Sequence, residues 1–138
     1  MKLTTEQIKE MFKLLSGANA TKLDDAERIK LVKIRGALRP IATAYNDFDK
    51  DATETLKFEN FDELNAKAMS NALQGEELLE WNLGGVKYMK SLNAARAQKL
   101  SEEHDIELPT ISQAVYLKLE KDNGWNMCAI DILEPIIE

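Results

Sequence analysis

Three short stretches hold residue types from which chemistry could be built. In DFDKDATETLKFE, Asp47, Asp49 and Asp51 fall at the first, third and fifth positions of a calcium loop, where carboxylate oxygens ligate a hard cation. The pattern then fails twice. The sixth position, where a sharp turn needs glycine, is Ala52, and the twelfth, where a bidentate glutamate closes the shell, is Phe58. The stretch reads instead as an acidic, solvated helix face. In WNLGGVKY, Gly84 and Gly85 hint at a phosphate cradle, but the longer glycine spacing and the closing Gly-Lys-Ser/Thr of a P-loop are missing. The glycine pair reads as a bend.

His104 and Cys128, the one histidine and the one cysteine, supply the types for a thiol–imidazole pair. Nothing in the sequence links them. NMCAID sets the cysteine in an apolar run, where a buried thiol is inert, and His104 reads as the C-terminal residue of a helix, favoured there by the macrodipole. One Cys and one His also fall short of the four ligands of a structural zinc site. No enzyme is indicated, no cofactor is implied, and no metal site is expected.

The elements that would carry any function are helices. The 138 residues suit a single helical domain over 1–138, and they are rich in Leu, Ile, Ala and Met with few glycines and prolines. A net charge of −6 leaves no global basic field for nucleic acid. A lone cysteine and a polar start without a signal-peptide core point to a reducing, cytoplasmic setting. No apolar run reaches the roughly 18–20 residues of a membrane span, so no membrane partner is expected.

Thr4 and Gln7 have the spacing of a capping box, with Leu3 and Ile8 as the staple around it, and the helix they start ends near Ser16. A long helix follows from about 25 to 57, capped at Asp24 or Asp25. Along it Leu31, Ile34, Leu38, Ile41, Tyr45, Phe48 and Ala52 alternate three- and four-residue steps as a heptad seam. Pro40 should kink this helix rather than end it, because the carbonyl its ring meets belongs to Gly36. Phe61, Leu64, Ala68 and Leu73 mark a shorter helix, and Leu78, Trp81, Gly85, Tyr88 and Leu92 line one stripe of another that runs to about His104. Packed antiparallel on the long helix, that last one completes a kinked helical hairpin with shorter terminal helices. The fold class is all-α.

A second threonine–glutamine pair, Thr110 and Gln113 in ELPTISQA, repeats the first helix start. Each pair follows an extended stub, Lys2–Thr4 and Ile106–Leu108, and pairing the stubs gives a minimal two-stranded ribbon that must lean on helices to persist. The tail WNMCAIDILEPIIE is a final short helix that Pro135 bends or ends.

Charge is segregated along the long helix. Arg28, Lys30, Lys33, Arg35 and Arg39 occupy its first half, while Asp47, Asp49, Asp51 and Glu54 crowd its far end. If the later helix packs antiparallel on it, Lys87, Lys90, Arg96 and Lys99 fall near the basic end. Arg28, Lys33, Arg35 and Arg39 form a candidate basic pole, although without interleaved aromatics nucleic acid is disfavoured as a partner. The candidate protein interface comprises Leu31, Leu38, Ile41, Tyr45 and Phe48 of the seam with Trp125, Ile132 and Ile136 of the tail, either turned inward as core or outward to a partner or a second copy.

The start MKLTTEQI, the long helix IKLVKIRGALRPIATAYNDFDKDA and the late DIELPT with its apolar helix resemble small uncharacterised proteins encoded near the structural genes of tailed bacteriophages and prophages. The resemblance covers about half the chain and leaves out WNLGGVKYMK and GWNMCAIDILEPIIE. It implies no catalytic residue. What it implies is a virion-assembly, tail-associated or host-interaction role in the host cytoplasm or on the virion. The sequence thus leads to a non-enzymatic interaction protein acting as an assembly adaptor or chaperone. A phage inhibitor of a host defence protein and a nucleic-acid-binding accessory protein are the alternatives.

Overall fold

The computed structural model describes residues 1–138, which fold mostly as helix with one two-stranded antiparallel ribbon. Strand β1 (Lys2–Thr4) leads into α1 (Thr5–Ser16), α2 (Asp25–Thr55), α3 (Phe61–Met69) and α4 (Gly75–Leu100). Strand β2 (Glu103–Asp105), α5 (Gln113–Asn123), α6 (Cys128–Leu133) and a 3-10 turn (Glu134–Ile136) complete the chain. Where one domain is expected, the contacts divide into two compact units. One joins Met1–Tyr45 to Leu100–Glu138, and the other is Asn46–Lys99. No helix is long and apolar enough to cross a membrane.

In the first unit the Thr4 box closes as its spacing predicts. Gln7 donates its backbone N–H to the Thr4 hydroxyl at 3.1 Å, and the Thr4 N–H donates to the Gln7 side chain at 2.9 Å. A second box, which the sequence reading placed only as a cap, opens α2. The Glu27 N–H donates to Asp24 Oδ1 at 2.8 Å and the Asp24 N–H to Glu27 Oε1 at 3.1 Å. Through Pro40 the helix runs on without interruption, from Asp25 to Thr55.

The ribbon forms three residues earlier than the stub at 106–108 suggested. Leu3 pairs with His104 and Lys2 with Asp105, while the Ile106 N–H reaches Met1 O at 2.9 Å. His104 is therefore a strand residue and not a helix terminus, and its Nε2 lies 2.8 Å from the hydroxyl of the buried Thr5. This bond ties the ribbon to α1, supplying the support that two strands lack on their own.

The threonine–glutamine pair at 110 and 113 is not a cap. Ile111 bridges Ile137 in parallel, with its N–H donating to Ile136 O at 2.7 Å, so the backbone stays extended past Thr110. Ser112 caps α5 instead, accepting from the Val115 N–H at 3.2 Å. Gly124, at φ 60°, ends α5 in the left-handed conformation that glycine takes without strain. A clasp between Asn123 and Asn19, with bonds of 2.6 and 2.9 Å, then ties the end of α5 to the link between α1 and α2.

The core of this unit gathers Leu3, Ile8, Met11 and Leu15 with Leu31, Ile34 and Leu38, then closes with Ile111, Val115, Tyr116, Leu119, Leu133 and Ile136. In the second unit Ala52, Tyr88 and Leu92 are buried, with Phe48, Leu56, Phe58 and Phe61 packed on them.

Candidate docking face

Of the proposed interface residues, Leu31, Leu38, Tyr45 and Ile136 are buried in this chain, and Ile41, Phe48, Trp125 and Ile132 pack half-buried against its cores. The seam and tail are therefore turned inward. Leu31, Leu38, Tyr45 and Ile136 have no surface to offer a partner, while Trp125 and Ile132 keep part of theirs along a shallow concavity with Leu14. The tail keeps only Met127 and Ile130 outside, and Cys128, expected inside an apolar run, is exposed at the start of α6.

The basic residues of α2 differ in their surroundings, although Arg28 and Arg35 line one shallow concavity. Arg28 is paired to Asp25, Lys33 and Arg39 are exposed, and Arg35 is half-buried with its Nε enclosed and unpartnered. The basic residues of α4 meet partners within the second unit. Arg96 pairs with Asp49, with a second contact from its terminal nitrogen to Asp49 Oδ2 at 3.4 Å, and Lys99 Nζ lies 5.4 Å from the Phe48 ring centroid. These contacts set α4 antiparallel to the acidic stretch of α2, and Arg96 neutralises Asp49 there. Lys99 and Arg96 thus lie beside residues 48 and 49.

Helix α4 carries apolar residues on two faces. Trp81, Gly84, Tyr88 and Leu92 form the inner one. The Tyr88 hydroxyl donates to Thr53 O at 2.9 Å, and the Phe61 ring stands 5.4 Å from Trp81 and 5.2 Å from Tyr88 between centroids. Phe58 lies over Gly84, where a Cβ would come within 2.9 Å of the ring. The glycine pair thus makes no bend. It sits within continuous helix, and Gly84 is the place where an aromatic ring meets bare backbone.

On the outer face Leu79, Leu83 and Val86 repeat at four and three residues, exposed to 60%, 64% and 71%, with Leu78 and Met89 at the edge, 42% and 46% exposed. Monomeric soluble proteins seldom leave so continuous a strip uncovered. The sequence reading assigned α4 a single stripe and missed this one. The signal was present all the same. Leu79, Leu83 and Val86 cannot share a face with Trp81, Tyr88 and Leu92 at 100° per residue, so the helix had to be apolar on both sides.

A concavity lies in the first unit. A cavity of about 540 Å³ is lined by Tyr116, Leu117 and Ile130, with Asp131, Glu134 and Glu138 among its walls. The Tyr116 hydroxyl is enclosed and no acceptor meets hydrogen-bond geometry, although the Glu120 and Asp131 carboxylates are near enough to oppose its ionisation. Burial first, and those carboxylates second, push this phenol up to about 12. Because the folded phenol holds its proton more tightly than the unfolded one, its contribution is complete below pH 10 and is lost as pH rises from about 10 to 12. Urea titrations across that range should show the wild type losing stability faster than Tyr116→Phe. Parallel curves would contradict the assignment. Near pH 7 the phenylalanine variant should be at least as stable as the wild type, since the enclosed hydroxyl has no partner to lose.

Compared with protein-family models, with curated proteins and with solved structures, the chain matches none.

Proposed function

We propose that the protein is a non-enzymatic protein–protein interaction module that docks through the outer face of α4. A single observation carries this reading: on a helix already anchored by Trp81, Tyr88 and Leu92, the residues Leu79, Leu83 and Val86 are left in solvent. Helix-in-groove recognition uses this arrangement, with anchors at i, i+4 and i+7 on one exposed face. The resemblance of the N-terminal segment, the long helix and the DIELPT stretch to small phage proteins supports an assembly-adaptor role for such a module. The seam and tail have a different task, which is to build the cores of the two units.

The test compares the full chain with a Leu79→Glu/Val86→Glu variant as immobilised baits. Both positions are exposed, so melting temperature and far-UV circular dichroism should be unchanged. A protein retained in stoichiometric amount by the wild type should be lost from the variant. Equal retention by both would remove α4 from the reading.

A further inference from the structure

We infer that α4 pairs with the α4 of a second copy of this chain, antiparallel about a two-fold axis level with Leu83 and Gly84. The inference rests on the proposed docking face and names its occupant. Charge is the first argument. Flanking the exposed stripe on one side are Glu76 and Glu80 towards the N-terminal end of α4 and Lys87 and Lys90 towards its C-terminal end, all exposed.

At 1.5 Å rise per residue, the axis at Leu83 and Gly84 brings Glu80 level with Lys87 of the second copy and Glu76 within one residue of its Lys90. The two-fold repeats both pairs. A parallel two-fold arrangement would instead set this charged flank against the opposite flank of the second copy, where Leu78, Asn82 and Met89 carry no charge, so neither pair would form. Flanking charges of this kind decide the orientation of paired helices, and here they select the antiparallel one.

Apolar matching is the second argument. In the same register Leu83 meets Leu83 across the axis, and Leu79 falls between Val86 and Met89 of the other copy. The five exposed side chains offer on the order of 500 Å² of apolar surface, comparable with the largest patches that monomers carry. Two copies with their polar flanks would bury about 1,000 Å², the lower limit for a specific association. The pairing is accordingly a reversible one, governed by concentration.

Sedimentation velocity on the full chain, from low micromolar to several hundred micromolar, tests this. The weight-average mass should rise from one copy towards two. Glu80→Lys should weaken the association roughly tenfold by opposing two cations at each end, and Glu80→Lys/Lys87→Glu should restore it to within about threefold of the wild type. Both positions are exposed, so neither variant threatens the fold. A chain monomeric throughout, or a dimer indifferent to Glu80→Lys, would overturn the self-pairing. The docking face itself is judged separately, by the bait comparison with Leu79→Glu/Val86→Glu.

Discussion

Leu38→Ala should lower the unfolding free energy of the first unit by about 2–5 kcal/mol, while Val32→Ala should leave it within about 0.5 kcal/mol. Both residues lie on α2, six positions apart, and both are large aliphatics. The difference is direction. Leu38 is 0% exposed, in a core with Ile8, Met11, Leu119 and Leu133, so truncation leaves a cavity that surrounding helices cannot fully fill. Val32 is 58% exposed, and its methyl groups are already largely in water. The chain carries two tryptophans, and each unit holds one: Trp125 packs on the first core, and Trp81 on the aromatic group of the second. Urea unfolding followed by Trp125 emission in a Trp81→Phe background therefore reads the relevant unit. Equal losses from both substitutions would mean that the heptad seam is not turned inward.

Gly84→Ala and Gly85→Ala should shift the stability of the second unit in opposite directions. Alanine is better than glycine in a helix interior by roughly 0.5–1 kcal/mol, and Gly85→Ala should realise that gain because its added methyl group meets nothing within 4 Å. At Gly84 the same methyl group would lie 2.9 Å from Phe58 Cζ and 3.0 Å from two further ring atoms. The ring has little freedom to retreat. It is edge-on to Phe61 at 5.3 Å and to Trp81 at 6.0 Å, so moving it disturbs the whole aromatic group. A net loss of about 1–3 kcal/mol is expected at Gly84, the usual cost of overpacking. Trp81 emission measures it directly. Two gains of similar size would mean that Phe58 does not rest on the α4 backbone.

The parts of this fold that were legible in the sequence are the ones fixed by short-range chemistry. Thr4 and Gln7 declare a helix start because both partners of the box lie within one turn. The seam from Leu31 to Ala52 declares one long helix because its period persists through Pro40. Thr110 and Gln113 carry the same local signal and mislead. The backbone at Ile111 is claimed by Ile136 and Glu138, partners more than twenty residues away, so the helix waits for Ser112. His104 is similar: its place in a strand opposite Leu3 depends on the other end of the chain.

For the candidate site, the seam's periodicity correctly identified a packed face but could not say whether that face was inner or outer, since core and interface share one pattern. Helix α4 posed the converse difficulty. Its two apolar faces blur each other's period, and the docking stripe emerges only once Trp81 and Tyr88 are seen to be occupied by Phe61, leaving Leu83 outside.

That outward direction is what the functional account depends on, and one measurement addresses it most directly. The unfolding free energy of Leu83→Glu, taken at a protein concentration too low for association, should lie within about 0.5 kcal/mol of the wild type. Leu83 is 64% exposed, so a carboxylate there stays hydrated. A loss of more than about 4 kcal/mol, the size expected for a charge forced into a core, would place Leu83 inside the molecule and contradict the docking face.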